Sequence, residues 1–263
     1  MATQPPANNL PIFYGGLEPL SAQLHGDLQT RAADKAPHLA HTHAVPITVD
    51  EFVSAQRYYP IVFSTGDSPV PLALMGLNEG VNVFVGDDGS ILGETYLPAY
   101  VRRYPFMLAR TTPDAQELSL CFDPTSDLIG KAFPDGVPLF DDGKPSEQTN
   151  NVLKFCEEFE MSAQRTVAFV NELKAADLLM EGEVTIQPTG SEQPYVYRGF
   201  QMINEEKFRD LRGDELRKMN GNGMLPLIVA HLFSLALVRE IFGKQIQQGK
   251  GPQANLGAPA GNA

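Results

Sequence analysis

The sequence predicts an α+β fold, in which an antiparallel sheet or meander from the N-terminal half packs against long helices from the C-terminal half. Up to about residue 122, several segments alternate apolar and polar residues in period two, as half-buried strands do. From residue 146 onward, apolar residues recur in steps of three and four, as in helices. Because the strands mostly precede the helices, the order favours α+β over a parallel βαβ sheet.

Two flexible ends are expected to flank one globular domain. Residues 1–10 and 243–263 are rich in Gly, Pro, Gln, Asn and Ala and offer few side chains to a core. Residues 11–44 mix turn residues with short apolar pieces, which predicts an irregular arm that wraps the domain. We therefore expect a single domain over residues 11–242.

The next segments predict a short helix followed by an antiparallel meander. Thr48 with Glu51 three residues later is a capping-box pattern, which opens a helix that runs to about Arg57. Tyr59-Pro60 ends this helix, because a residue before proline is driven out of the α region. A second short helix is expected at 96–103. Strands are predicted at 61–63, 70–77, 81–85, 91–92, 104–108 and 117–122.

The second half of the chain predicts helices and one hairpin. Ser146 is the expected cap of a long helix, which should bury one apolar face against the sheet and end near 177–182. Residues 183–187 and 195–203 are predicted to form a hairpin that adds two strands to the sheet. Two short helices should follow. The apolar residues of 224–242 lie all around the helical wheel, which predicts a helix buried on most sides.

Charge and cysteine content narrow the expected partners and location. The formal net charge is −12, so the chain should repel nucleic acid phosphates and anionic membrane surfaces, and we expect neither as a primary partner. Cys121 and Cys156 show no CxxC spacing, which fits a reducing compartment. The N-terminus shows no secretory pattern, and the apolar stretch 224–238 is shorter than the roughly 20 residues of a membrane span. We expect a cytoplasmic protein that is not a permease.

Several blocks of the sequence carry a family resemblance. They occur in order at residues 59–63, 71–77, 97–106, 138–140 and 230–235. Together they resemble the core pattern of the SapC family over about residues 11–242. The resemblance implies an accessory role, because members resemble proteins found beside TonB-dependent receptors, flavin-dependent halogenase-like proteins and cupin-like oxygenases. A surface-layer role has also been attached to the family. The resemblance supplies no catalytic residues.

Two histidine groups are candidates for chemistry. His38, His41 and His43 form an H-x-x-H-x-H cluster, in which three imidazoles could hold zinc and leave one position open for water. In a strand, however, His38 would not share a face with the other two. His231, one turn before Ser234, is either a base tuned by burial or a core histidine with a hydrogen-bond partner.

A group of tyrosines and arginines is the best candidate for a binding surface. Two segments, 57–63 and 102–108, both read as a helix, a Tyr-Pro stop and a strand, and each brings Arg beside Tyr. Such residues suit a peptide or protein partner, although the tyrosines could instead pack on the core beneath the arginines. The predicted partner-binding residues are Arg57, Tyr58, Tyr96, Tyr100, Arg102, Arg103 and Tyr104.

These observations favour a non-enzymatic cytoplasmic accessory protein that binds a protein or peptide partner, within a pathway linked to TonB-dependent uptake or the cell envelope. No cofactor is expected, and a homo-oligomer stays open. One alternative is a metal-dependent enzyme that uses His38, His41 and His43. The other is a structural component of a surface layer.

Overall fold

The computed structural model describes residues 10–112, 114, 117–188 and 194–251, and they confirm the predicted α+β class. The strands of these residues are β1 (Glu18–Pro19), β2 (Gln29–Thr30), β3 (Ala44–Pro46), β4 (Ile61–Phe63), β5 (Pro71–Leu74), β6 (Phe106–Ala109), β7 (Ser119–Phe122), β8 (Ile129–Gly130), β9 (Val137–Pro138), β10 (Phe140–Asp141), β11 (Lys144–Pro145), β12 (Leu179–Glu181), β13 (Val184–Ile186), β14 (Tyr195–Tyr197) and β15 (Gln201–Ile203). The helices are α1 (Ala22–His25), α2 (Phe52–Ala55), α3 (Ala99–Arg102), α4 (Glu147–Ala175), α5 (Glu205–Arg209), α6 (Gly213–Gly221), α7 (Met224–Ser234) and α8 (Val238–Gln247). Short 3₁₀ turns lie at Pro37–Leu39, Val49–Glu51 and Leu235–Leu237.

An antiparallel five-stranded sheet in the order β12-β15-β4-β5-β3 forms the largest layer. Its third strand, β4, consists of Ile61, Val62 and Phe63, and all three are buried. Three consecutive buried apolar residues require cover on both faces, which is why this segment occupies an inner position. Strands from both halves of the sequence therefore share this sheet.

A second, three-stranded sheet has the order β1-β7-β6, and a third has the order β8-β2-β9. The arm predicted at residues 11–44 supplies β1 and β2 and ends at the first residue of β3, so it reaches each of the three larger sheets. The hairpin β10-β11 lies directly before α4. Strands β13 and β14 pair as a separate ribbon, while β12 and β15 join the five-stranded sheet. The predicted hairpin therefore adds only its last strand to that sheet.

The predicted strands at 81–85 and 91–92 do not form a ladder, and only a single bridge joins Val85 to Ile91. Buried Asn82 explains this difference. Its Oδ1 accepts hydrogen bonds from the backbone N–H groups of Phe84 and Val85, at 2.8 and 3.1 Å. Because a side chain takes the donors that a neighbouring strand would need, the segment folds as an irregular loop.

The long helix α4 follows the predicted pattern. The Ser146 hydroxyl accepts from the backbone N–H of Thr149 and caps its first turn. The 29 residues of α4 span about 44 Å at 1.5 Å per residue. Its second half, including Phe169 and Leu173, belongs to the main core cluster beside the five-stranded sheet. Its first half contributes Cys156 to a smaller cluster beside β6 and β7.

The C-terminal apolar stretch is not one uniformly buried helix. A 3₁₀ turn separates α7 from α8, and Phe233 is 72% exposed. By length and composition alone, the segment Met224–Gln247 could cross a membrane. In the fold, α7 packs against β4 and β15. Helix α8 ends at Gln247, five residues past the predicted domain end at 242. Residues 1–9 and 252–263 of the predicted flexible ends lie outside the described residues.

Candidate binding cavity

A cavity of about 400 Å³ lies where α3 and the start of β6 face the first half of α4. We call it the arginine cavity. Its polar lining consists of three arginines, one tyrosine and two side-chain amides, and its apolar lining comes from β6, α4 and the loops beside them. The lining residues are Arg31, Ala33, Arg102, Arg103, Tyr104, Pro105, Phe106, Leu128, Gln148, Asn151, Val152 and Phe155.

Local structure places two consecutive arginines at the cavity. Helix α3 is a single turn that begins after Pro98 and ends at Arg102. Its position is fixed by Glu51, the residue of the predicted capping box, whose Oε1 accepts from the backbone N–H of Ala99 at 2.6 Å. Glu51 Oε2 also accepts from the backbone N–H of Thr48 at 2.8 Å, which confirms the box. One buried carboxylate thus caps the turn before α2 and anchors α3.

Arg102 is exposed and holds its guanidinium over two aromatic rings. The ring of Phe155 lies 5.1 Å from the guanidinium carbon, and that of Tyr96 lies 5.8 Å from it. The Nε–H donates to the carbonyl oxygen of Leu97 at 3.0 Å. Among the described residues, no carboxylate lies within 4.0 Å of its charged nitrogens. Arg102 therefore presents an unneutralised cation to the cavity.

Arg103 is buried, with 6% of its surface exposed. Its guanidinium carbon lies 4.4 Å from the ring centre of Tyr100 and 4.2 Å from that of Phe159. Its Nη1 lies 3.6 Å from Glu160 Oε1, while its Nε has no partner among the described residues. Burial raises the pKa of the Glu160 carboxyl, and the charge of Arg103 opposes that rise. The cation is thus held in place with one donor unsatisfied.

Arg31 closes the cavity on the side of the arm. Its guanidinium pairs with Asp127 at 2.8 Å and lies 5.1 Å from the ring of Phe133. The same arginine lines a second cavity of about 360 Å³, with which the arginine cavity shares Ala33 and Leu128. The two cavities therefore adjoin each other along the arm, with Arg31, Ala33 and Leu128 between them.

The other predicted partner-binding residues occupy different environments. Tyr100 is buried, and its hydroxyl donates to the carbonyl oxygen of Ile12. The Tyr96 hydroxyl donates to Glu51, and the half-buried Tyr104 lines the cavity. Arg57 lies over the ring of Tyr58 at 5.9 Å, and the cavity lining described above includes neither. The structure thus brings Arg102, Arg103 and Tyr104 together on one cavity, and it places Arg57 and Tyr58 outside it.

The three histidines of the H-x-x-H-x-H cluster occupy different environments. The ring of His38 packs 4.9 Å from that of Phe13 and 4.6 Å from that of Tyr104, and burial lowers its pKa. His41 is exposed, whereas His43 lines a different cavity. In the part of the chain that the structure describes, no three His, Cys, Asp or Glu side chains converge on a metal position. This geometry gives no support to the alternative of a zinc site at these histidines, because the 3₁₀ turn at Pro37–Leu39 directs His38 into an aromatic contact.

His231 and Ser234 serve the fold. The fully buried imidazole accepts through Nε2 from the backbone N–H of Ile203 at 3.1 Å. Ser234 Oγ accepts from the backbone N–H of Ile61 at 2.9 Å and donates to the carbonyl oxygen of His231. The two side chains connect α7 to β15 and β4, so the core interpretation of His231 is the correct one. Its partner is a backbone N–H group of the sheet.

Sequence reasoning missed the contribution of α4 to the cavity. Gln148, Asn151, Val152 and Phe155 all line it, and their spacing of three, one and three residues places them on one helical face. That face was readable from the sequence. The sequence did not indicate which segment packs against this face, because the contact of Phe155 with Arg102 joins segments that are distant along the chain.

A family model described as SapC matches residues 20–241. The match begins directly after β1, ends within α8 and includes every element that lines the arginine cavity. No curated protein and no solved structure matches the chain.

Proposed function

The chain belongs to the SapC family, and we propose that it is a non-enzymatic cytoplasmic accessory protein that binds a protein or peptide partner at the arginine cavity. The observation that carries this proposal is Arg102, an exposed guanidinium without a carboxylate partner among the described residues, stacked on Phe155 at the cavity wall. By the family resemblance, the partner belongs to a pathway linked to TonB-dependent uptake or the cell envelope.

The composition of the cavity suits binding. Arginine and tyrosine are enriched among the residues that dominate protein interfaces, because each combines a large contact area with directional hydrogen bonds. Here Arg102 and Tyr104 lie beside apolar side chains such as Phe155, in a volume within the range of about 300–1,000 Å³ typical of ligand sites. A partner side chain could therefore be both desolvated and oriented.

The candidate reactive groups favour binding over catalysis. Both hydrogen-bonding side chains of α7, His231 and Ser234, are committed to backbone groups of the sheet. Burial raises the pKa of both Cys121 and Cys156 to about 11, so neither thiol ionises appreciably near neutral pH. These groups therefore support a non-enzymatic role.

The test compares two exposed arginines, each of which lies over a tyrosine ring. Arg102 lies over Tyr96 at 5.8 Å inside the cavity, whereas Arg57 lies over Tyr58 at 5.9 Å outside it. Wild-type protein, Arg102→Ala and Arg57→Ala are used to capture partners from a cytosolic extract of the source organism, and the affinity for the captured partner is then measured with purified components. We expect Arg102→Ala to weaken binding about ten-fold or more, with Arg57→Ala close to wild type.

Two outcomes contradict this proposal. Equal affinity of wild type and Arg102→Ala would remove the cavity as the binding site. Equal loss in both variants would instead indicate a broader surface that includes Arg57. Because Arg103 is buried, the double replacement of Arg102 and Arg103 would disturb packing as well as binding, and the single replacement is the sharper test.

A further inference from the structure

We infer that the arginine cavity recognises a single acidic side chain of an extended peptide, with an apolar residue of the same peptide packed beside it. This inference rests on the proposed function, since it names the chemistry by which the cavity would recognise its partner. It is carried by the charges of the lining, by the guanidinium of Arg102, which has no carboxylate partner among the described residues, and by the second cavity that adjoins the first along the arm.

The lining has a charge opposite to that of the whole chain. The chain has 32 Asp and Glu against 20 Lys and Arg, yet within the described part of the chain the side chains that line the arginine cavity include three arginines and no carboxylate. At physiological ionic strength the Debye length is about 8 Å, so a group inside the cavity interacts mainly with its lining and little with distant surface acids. An anionic group is therefore attracted there despite the net charge of −12.

A buried and incompletely satisfied arginine forms part of the cavity wall. Arg103 lines the cavity and is 94% buried, since 6% of its surface is exposed, and its Nε–H has no partner among the described residues. A buried donor without an acceptor is destabilising. Arg103 therefore adds a fixed guanidinium to the lining.

The positive charge that is not neutralised within the cavity lining matches the charge of one carboxylate. Arg31 is paired with Asp127, and Arg103 is paired with Glu160. Arg102 is then the one lining arginine without a carboxylate within 4.0 Å in the described part of the chain. One unneutralised guanidinium suits a monoanion better than a phosphate group, whose charge near neutral pH is about −1.5 to −2.

The rest of the lining suits a peptide chain that continues in both directions. Phe155 and Val152 offer an apolar wall for a neighbouring residue, and the amides of Gln148 and Asn151 can donate to and accept from a peptide backbone. Beyond Arg31 the second cavity provides further room. A side-chain carboxylate within a peptide therefore fits better than a terminal one.

The test uses labelled five-residue peptide amides with a central residue between leucines. The central residue is glutamate, glutamine or phosphoserine, and a fourth peptide has central glutamine with a free C-terminal carboxylate. Fluorescence anisotropy gives the Kd of each for wild type, Arg102→Gln and Arg57→Gln, and thermal unfolding verifies that each variant is folded. We expect the glutamate peptide to bind wild type about ten-fold more tightly than the glutamine peptide, and we expect Arg102→Gln, but not Arg57→Gln, to abolish that preference.

Each other outcome overturns the inference. Equal affinity for the glutamate and glutamine peptides removes the carboxylate as the recognised group. Tighter binding of the phosphoserine peptide assigns the site to a dianion, and tighter binding of the free-carboxylate peptide assigns it to a chain end. Absence of binding by all four peptides also overturns it. The proposed function fails separately, when Arg102→Ala leaves the affinity for the captured partner unchanged.

Discussion

At the scale of single residues, Arg103 determines how the cavity is built. Its guanidinium lies between Tyr100 and Phe159 and pairs with Glu160, so one side chain connects α3 to α4 through both dispersion and charge. A cation in this position is stabilised by the faces of the two rings. Arg102, its neighbour, can then remain exposed and available to a ligand because Arg103 holds the two helices together.

Replacing Arg103 with alanine should lower the free energy of unfolding by on the order of 2–4 kcal/mol, measured by urea denaturation. The change leaves the partly buried Glu160 without its cation and opens space between two rings. Adding Glu160→Gln should restore part of the loss, because the unpaired charge is then removed. The control is Arg198→Ala, since Arg198 and Glu183 form an exposed pair that should contribute little. Equal effects of the two alanine variants would contradict this assignment.

His231 should make stability depend on pH. Burial lowers its pKa from 6.5 to about 4, so the unfolded chain binds a proton between these values while the folded protein does not. The free energy of unfolding should therefore be highest above pH 6.5 and fall as the pH is lowered towards 4, with a slope of at most about 1.4 kcal/mol per pH unit from this residue. His38, whose pKa burial also lowers, acts in the same direction.

The measurement is urea denaturation at a series of pH values for wild type, His231→Gln and His41→Gln. Glutamine retains an acceptor for the backbone N–H of Ile203 but does not titrate, so its slope between pH 6.5 and 4 should be smaller than that of wild type. His41 is exposed, and its replacement should leave the slope unchanged. A slope for His231→Gln identical to that of wild type would show that His231 does not carry the effect.

At the scale of elements, the N-terminal arm is attached by specific contacts. Asp123 is fully buried, and its Oδ2 accepts from the backbone N–H of Gly15 at 2.7 Å. A Cβ on Gly15 would lie 2.6 Å from Thr125 Oγ1, so this close approach requires glycine. The Tyr14 hydroxyl donates to the carbonyl oxygen of Phe106 at 2.8 Å. The start of the arm is thereby joined to β6 and to the loop after β7.

Asp123→Ala should loosen the start of the arm without unfolding the five-stranded sheet. The backbone N–H of Gly15 loses its acceptor, so hydrogen exchange should accelerate around residues 14–20, while β4 and β5 keep their protection. Asp135→Ala is the control, because Asp135 is exposed. Unchanged exchange at residues 14–20 would mean that the pairing of β1 with β7 suffices to hold the arm.

Elements governed by local rules were predictable from the sequence. The capping box at Thr48, the Ser146 cap and the 29-residue helix all follow from contacts within a few residues. The segment 81–85 was not predictable, because Asn82 reaches the carbonyl oxygens of Leu39 and Thr42, which are about 40 residues away. The turn between α7 and α8 was missed for a related reason, since a continuous apolar run carries no signal for it.

The candidate site was predictable only in part. Arg102, Arg103 and Tyr104 stand together in the sequence, so their composition pointed to a binding surface. Arg57 resembled them only in its local pattern, and the two segments enter different sheets, β4 in one and β6 in the other. Which arginine is buried and which is exposed depends on α4, and the sequence does not state how that helix packs.

At the scale of the whole molecule, α4 joins two hydrophobic clusters. Its second half packs into the main cluster with Leu178, and its first half packs into the smaller cluster with Leu139. Both leucines are fully buried. A helix forms cooperatively along its length. Loss of one cluster therefore destabilises the half of α4 that packs in it, and through that half it also destabilises the half that packs in the other cluster. One shared helix therefore couples the two clusters.

This coupling predicts one unfolding transition. Leu139→Ala and Leu178→Ala should each lower stability by about 2–5 kcal/mol, and each should shift a single calorimetric transition for which the calorimetric and van't Hoff enthalpies agree. Val53→Ala is the control, because Val53 is 60% exposed and its replacement should shift the transition little. If Leu139→Ala instead separated an early transition from a late one that keeps the wild-type midpoint, the smaller cluster would unfold independently. The arginine cavity, which lies between β6 and the first half of α4, would then be lost in the early transition while the five-stranded sheet stayed folded.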